Sequence, residues 1–419
     1  MPKPVFRKQQ VPNTPPQDEE LPVGATERPN QRVDLVSQQC DLAYDPRLIA
    51  RIQKDTEAVG VVGEVNNSTL IYLTFTSRVQ EEPNAVVTRG GTGLGKTHLL
   101  HRIARFMPPE TVIDAMSLTD ASMFNVEPDF FKHKIMLCGE RRHSTDDSVR
   151  DQNRLLRQFQ SEKRISRNVS VQGKDGVWRT EQQVREGPIA YGESTTANNI
   201  FREDGNRLLH LFLDDSYQQT QDILVAKASR YAPDRGEVDR DDIFKRHHEF
   251  QRSLVACDVR IPFWRNLALA MPATKPESRR VFQQVLTVIE SIVVLHQHQR
   301  EKQNGYLLAT FDDYELARQL LLSPIHSSLG MGRNYKKAER LRAALPQSTF
   351  TTAEVTKAMN YKSKMGASHL LSSLAKAGLV KSLAKASGTT QAKYQWNDAK
   401  NWDVLPTVNE LKGLTGNAG

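Results

Sequence analysis

Eight consecutive residues carry the most specific chemistry in this chain: Gly90, Gly91, Thr92, Gly93, Leu94, Gly95, Lys96 and Thr97. They fit the spacing GxxxxGK[ST], and they lie between the β-branched run NAVVTR and the segment HLLHRIARFM, whose apolar residues recur at helical spacing. A strand, a glycine turn and a helix in that order make a phosphate cradle. The glycines let successive backbone N–H groups face phosphate oxygens, Lys96 neutralises charge on the outer phosphates, and Thr97 offers a hydroxyl to Mg2+ at a helix N-terminus. ATP and Mg2+ are the expected ligands. His98 is grouped with the nucleotide-contacting residues. His98 and His101 share the following helix, where a packed or partly exposed ring is expected rather than a metal ligand.

A triphosphate site that turns over also needs an acid to orient the attacking water. HKIMLCGE, residues 133–140, is the apolar run that best ends in one, so Glu140 is the expected base. Gly139 stands where an aspartate usually precedes that acid, leaving metal coordination to Thr97, phosphate and water. Asp114 or the Asp214-Asp215 pair could approach the metal, although no spacing favours either. No HExxH or HxxxH spacing and no assignable Ser/His/Asp set is present, which argues against metal-hydrolase chemistry. Cys40, Cys138 and Cys257 have no CxxC spacing and read as reduced thiols.

These residues need a scaffold. The runs TVIDAM (111–116), HKIMLCGE (133–140), PIAYGEST (188–195) and LLHLFLD (208–214) read as core strands. Alternating with helical segments, they imply an α/β fold with a parallel sheet covered on both faces. ESRRVFQQVLTVIESIVVLHQHQR (277–300) and DDYELARQLLLSPI read as later helices. Between the second and third of these strand runs, ISRNVSV and VWRTEQQV alternate around Gly173-Lys-Asp-Gly176, the pattern of a hairpin with Lys174 at its tip. Near the C-terminus, TTAEVTKAM, KMGASHLLSSLAKAGLV and KSLAKASGTTQAKYQW give two helices and then two short strands around Gly388. That is the order of a winged helix-turn-helix.

The 419 residues carry a net charge of +8 and a pI near 9.3, which favours a polyanionic partner. Seven lysines (357, 362, 364, 376, 381, 385 and 393) stand against the single acid Glu354 between Pro346 and Trp396, so the positive charge is concentrated in the late module. No window reaches the ~18 to 20 apolar residues of a membrane span, and the opening lacks a secretory apolar stretch. A cytoplasmic protein without membrane contact is expected. The expected organisation is a disordered tail over 1–43, an ATPase core with the hairpin over 44–258, a helical lid over 259–345, a winged helix over 346–396 and a second tail over 397–419.

The order of GVVGEVNNSTLIYLTFTSR, GGTGLGKT, KIMLCGE, LLRQFQSEKRI, GPIAYGESTT, GNRLLHLFLDDSYQQT and the 277–300 helix resembles the helicase-like P-loop ATPases of phages and mobile genetic elements. These are often joined to primases and are similar to the MCM branch of AAA+ proteins. The resemblance spans roughly residues 44–396. It implies a P-loop NTPase core of AAA+-like type with a helical lid and a C-terminal winged helix. It also implies a sensor threonine at Thr195 or Thr196, with Thr196 preferred, and Arg207 as an arginine finger offered to a neighbouring subunit. Arg279 or Arg280, with Arg280 preferred, would be the lid arginine that contacts nucleotide. In such proteins the hairpin projects into the ring channel, so Lys174 would touch the nucleic-acid backbone, Trp178 would stack on a base, and Arg164, Arg167 and Arg179 would add charge. On the winged helix, Ser363, Lys364, His369 and Ser372 would lie on or near the DNA face. The implied function is an ATP-dependent DNA helicase that forms a ring, expected to be a hexamer, for replication of a phage or mobile element in a bacterial host. With only a short segment ahead of Tyr44, priming would come from elsewhere. The alternatives are a helicase loader and an ATP-switched DNA-binding regulator without unwinding activity.

Overall fold

The computed structural model describes residues 40–115, 120–141, 154–197, 200, 202–232, 239–271, 276–328, 334–376, 378–384, 392–397 and 404–415. The first seven strands are β1 (Ala85–Arg89), β2 (Val112–Ala115), β3 (Lys134–Glu140), β4 (Arg164–Gln172), β5 (Trp178–Glu186), β6 (Ile189–Thr195) and β7 (Leu209–Phe212). Five of them form a wholly parallel sheet in the order β2-β3-β6-β1-β7. The four core strands read from the sequence are all in it, each within two residues of the expected bounds.

Alternation along the strands sorts side chains into two cores. Val86, Ile135, Leu137, Ala190 and Leu211 face one side, where helices Val65–Thr76, Lys96–Ala104, Ser278–Leu295 and Phe311–Ser328 cover them. Val87, Met136, Cys138 and Tyr191 face the other, against Leu155, Leu156 and Phe159 of helix Arg154–Glu162. The chain is mixed α/β with both faces of the sheet buried.

Helix Ser278–Leu295 buries twelve of its eighteen residues, so it is a core helix and not a one-sided lid. With Phe311–Ser328 it joins the hydrophobic core under the sheet. A short parallel pair, β8 (Val259–Arg260) and β9 (Leu307–Leu308), ties this region together. The expected tails also need correction at their inner ends. Cys40, Leu42 and Ala43 are buried in the same core, and so are Leu405 and Leu411 from the end of the chain. Helix Val408–Thr415 is packed, with the Asn266 amide donating to the Leu411 carbonyl at 3.1 Å and the Tyr314 hydroxyl to the Pro406 carbonyl at 2.6 Å.

A smaller unit has its own core. Strands β10 (Thr349–Thr351), β11 (Val380–Ala384) and β12 (Lys393–Trp396) form an antiparallel sheet in the order β10-β12-β11. Phe350, Val355, Leu371, Leu374 and Trp396 fill the space between it and helices Thr352–Ala358 and Lys364–Lys376. A reciprocal capping box between Thr351 and Glu354 starts the first of these helices. Ala338 and Leu341 of helix Asn334–Ala344 are fully buried in this core, so the unit begins before the expected boundary at 346. The turn around Gly388 lies outside the described residues.

Candidate functional site

The glycine-rich loop leaves the carboxyl end of β1, beside the point where the strand order reverses, which is where open α/β sheets collect ligands. Gly90, Gly93 and Gly95 have φ of +151°, +85° and +82°. A Cβ on Gly90 would meet Leu94 Cδ1 at 2.8 Å, while Gly93 and Gly95 need the left-handed backbone to keep their amides turned outward. Nothing lies within 4 Å of where their side chains would begin, so the outer side of the turn is open. Helix Lys96–Ala104 starts at once, with Gly95 as its N-cap. Lys96 is only 6% exposed, and its Nζ donates to the Gly91 carbonyl at 2.7 Å. A buried ammonium folded over outward-turned amides can donate to phosphate oxygens in place of that carbonyl.

Neighbouring strands supply the other groups. β6 lies between β1 and β3, so its end serves both. Ser194 Oγ is 2.9 Å from Thr97 Oγ1, Thr195 donates to the Arg141 carbonyl at 3.0 Å, and Thr196 Oγ1 donates to Glu140 Oε1 at 2.5 Å. Thr195 is buried and committed to backbone, whereas Thr196 is exposed at the strand end. Glu140 is exposed at the tip of β3. Behind it, Arg141 lies 3.6 Å from the buried carboxylate of Glu193, which also accepts a 2.6 Å hydrogen bond from the Tyr191 hydroxyl. Burial, with the Glu193 charge beside it, pushes the Tyr191 hydroxyl well above its ordinary range, so Tyr191 remains a donor. This pinning fixes the strand ends that carry Glu140 and Thr196.

Two cavities flank the loop. The larger, about 610 Å³, meets Gly93, Leu94, Gly95 and His98 and is walled by Val61, Val62, Leu213 and Ile223. The smaller, about 220 Å³, meets Gly90, Gly91 and Thr196 and is walled by Arg89, Asp214, Asp215, Lys337 and Arg340. The larger has an apolar wall on one side and Glu57, Glu64, Lys227 and Arg240 among its other lining residues, and it has room for more than a flat heterocycle; the smaller is rich in charge. Arg89 is held by the His210 ring nitrogen at 3.0 Å and the Ala197 carbonyl at 3.2 Å, above the Phe212 ring. The Thr97 hydroxyl is a hard oxygen donor of the kind Mg2+ takes.

Other candidates lie elsewhere. Arg207 donates from Nε to Ser161 Oγ at 2.8 Å, beside the Arg157–Asp204 ion pair, and lines neither cavity. Arg279 and Arg280 are exposed at the start of helix Ser278–Leu295 and also line neither. Among the described residues, Lys337 and Arg340 line the smaller cavity at the loop and Lys227 and Arg240 the larger. Asp114 is 3.4 Å from His101 in a separate cavity, while Asp214 and Asp215 stand beside Gly90.

β4 and β5 pair in unbroken antiparallel register from Arg164↔Glu186 to Gln172↔Trp178, with Lys174 exposed at the tip. Trp178 is 66% exposed. Arg167 is engaged at the root, its guanidinium 4.3 Å from the Phe124 ring centroid and its Nε 2.9 Å from Gln183 Oε1, so it is not presented as a surface cation. Arg179 is paired with Asp175. On helix Lys364–Lys376, Lys364, His369 and Ser372 are exposed opposite the buried Ala367, Leu370, Leu371 and Leu374; Ser363 is exposed just before the helix.

The sequence reading missed Ser194, Lys337, Arg340 and the wall at Val61 and Val62. Ser194 carried a faint signal, a hydroxyl between Glu193 and Thr195 at the polar end of a strand that begins apolar. Lys337 and Arg340 lie about 240 residues from the loop, and no local pattern ties them to it. No protein-family model and no curated protein matches the chain. Among the described residues, no helix is long and apolar enough to cross a membrane.

Proposed function

We propose that this chain is an ATP-dependent, ring-forming DNA helicase or translocase of the helicase-like P-loop class found in phages and mobile elements. The observation that carries the reading is the convergence on one glycine turn of the buried Lys96, the Thr97–Ser194 hydroxyl pair and the Glu140–Thr196 pair, with a cavity large enough for a nucleoside at one end. A base in the larger cavity would meet Val61 and Val62, and its phosphates could follow the loop amides past Lys96 towards Gly90. Thr97 would hold Mg2+, which when bound would supply charge neutralisation at the outer phosphates. Glu140 accepts a proton from the attacking water, and Thr196 fixes the carboxylate that does so. Arg207, outside its own chain's cavities, is offered to the site of a neighbouring copy. The exposed β4–β5 hairpin supports a DNA contact through Lys174 and Trp178, and the lysine-rich C-terminal unit, read as a winged helix, supports a second through Lys364 and His369.

The test is ATP hydrolysis by the purified chain with and without single-stranded DNA, beside Lys96→Ala and Glu140→Gln. The motor reading expects DNA to stimulate turnover, Lys96→Ala to lose nucleotide affinity, and Glu140→Gln to bind ATP yet turn over at least about a hundredfold more slowly. Tight ATP binding by the wild type with no turnover on any DNA sinks the motor and leaves a loader or an ATP-switched regulator, for which Gly139 in place of a second acid is the favouring feature.

A further inference from the structure

Helix Asn334–Ala344 belongs to two places at once. Ala338 and Leu341 are fully buried in the core of the C-terminal unit, so the helix moves with that unit. Three and four residues apart on a helix share a face, and on a second face Lys337 and Arg340 line the smaller cavity beside Gly90, Gly91 and Thr196. Arg340 is ion-paired there with Asp214 Oδ1, the oxygen that also accepts the Ser216 amide at 2.8 Å. Among the described residues, Lys337 has no ion pair within 4 Å.

The direction of a bound nucleotide follows from the two cavities. If the base fills the larger one, at the Gly93 to His98 end, the phosphate chain runs along the loop and its third member ends by Gly90, Gly91 and Thr196. A diphosphate stops short. The smaller cavity carries three cations, Arg89, Lys337 and Arg340, against two acids, Asp214 and Asp215. A terminal phosphoryl group is a better partner for a guanidinium than one carboxylate oxygen already shared with a backbone amide.

We propose that the Arg340–Asp214 pair is a latch for which the terminal phosphate competes. ATP draws Arg340 off Asp214 and, with Lys337, onto its third phosphate, adding a second cation to the contact that holds the C-terminal unit against the sheet end, and loss of that phosphate returns Arg340 to Asp214. The nucleotide state is thereby transmitted to the lysine-rich unit. This rests on the reading of the loop as an ATP site.

Calorimetric titration of the full chain with ATPγS and with ADP separates the two ideas. Arg340→Ala and Lys337→Ala should each weaken ATPγS about tenfold or more and leave ADP within about twofold. Arg340→Lys should keep part of the affinity, and Asp214→Asn should bind ATPγS more tightly than wild type because the competitor is gone. Amide hydrogen exchange across Asn334–Ala344 should be slower with ATPγS than with ADP, a difference that Arg340→Ala abolishes. Equal loss of both nucleotides, or of neither, in folded Arg340→Ala overturns the latch while leaving the ATP site intact. If the wild type binds neither nucleotide, the loop reading fails first and the latch falls with it.

Discussion

Between Leu137 and Glu140, strand β3 uses three residues where β6 uses two, and the bulge that results carries Glu140 to the register of Ser194. Gly139, which stands where an acid was expected, lies within that bulge. The hydroxyl of Thr97 finds Ser194 at 2.9 Å instead. The loop and Glu140 were legible because their signal is local, a spacing of glycines or an acid at the end of an apolar run. Ser194 and Arg340 were not, because what matters about them is which distant strand end they face. A second residue-scale consequence concerns Glu290 on helix Ser278–Leu295. Burial, and then the charges of Glu82 and Asp258, raise its carboxyl from 4.5 to about 7. At this group the folded state then binds more protons than the unfolded one between those values, so the contribution of Glu290 to stability is greatest below about pH 4.5, falls as pH rises towards 7, and levels off above. Glu290→Gln should remove this slope. It should leave the urea midpoint almost unchanged at pH 5 and stabilise the protein at pH 8 by at most about 3 kcal/mol. Equal effects at both pH values would mean that the carboxyl is not titrating in the fold.

At the scale of elements, the hairpin separates arginines by where they sit. Its nine-pair ladder reaches about 30 Å at ~3.4 Å per residue, and only its outer half is clear of the body. The period-two pattern and the Gly173 to Gly176 turn made the hairpin readable, but alternation alone could not tell root from tip. Phe124, on a helix far off in sequence, takes Arg167 as a ring partner, and Asp175 takes Arg179. This sets up a three-way comparison by fluorescence anisotropy with a single-stranded oligonucleotide. Trp178→Ala should weaken binding by about 1 to 3 kcal/mol through lost stacking. Lys174→Ala should weaken it and lower the slope of log affinity against log salt by about 0.7, the mark of one phosphate contact to a single strand. Arg167→Ala should instead lower thermal stability and leave the salt slope as in wild type. A changed slope for Arg167→Ala, or none for Lys174→Ala, would place the DNA contact at the root.

The larger core takes in residues from both limits of the described chain. One core runs from Cys40 to Leu411, passing under the sheet, through the helices of the 259–345 region and around the smaller C-terminal unit, which is inserted before the last helix. Composition misread this closing segment as a tail, although Thr407-Val-Asn-Glu410 has capping-box spacing, and Thr407 and Glu410 do cap each other at 2.6 and 3.3 Å. The capping signal was short and surrounded by polar residues, and only the tertiary contacts of Leu405 and Leu411 give it a reason to fold. A tail can be shortened without loss, whereas removing this segment should expose the core that Leu405 and Leu411 cover. Leu411→Ala, which empties a fully buried site without touching the loop or the C-terminal unit, should cost about 2 to 5 kcal/mol of unfolding free energy. Chemical denaturation followed through signals from the sheet core measures it. An unchanged midpoint would return residues 404–415 to the status of a tail. A loss of the expected size would mean that the sheet and the end of the chain unfold as one body, so that the C-terminal unit is tethered to the core on both sides and can move only as far as those two connections allow.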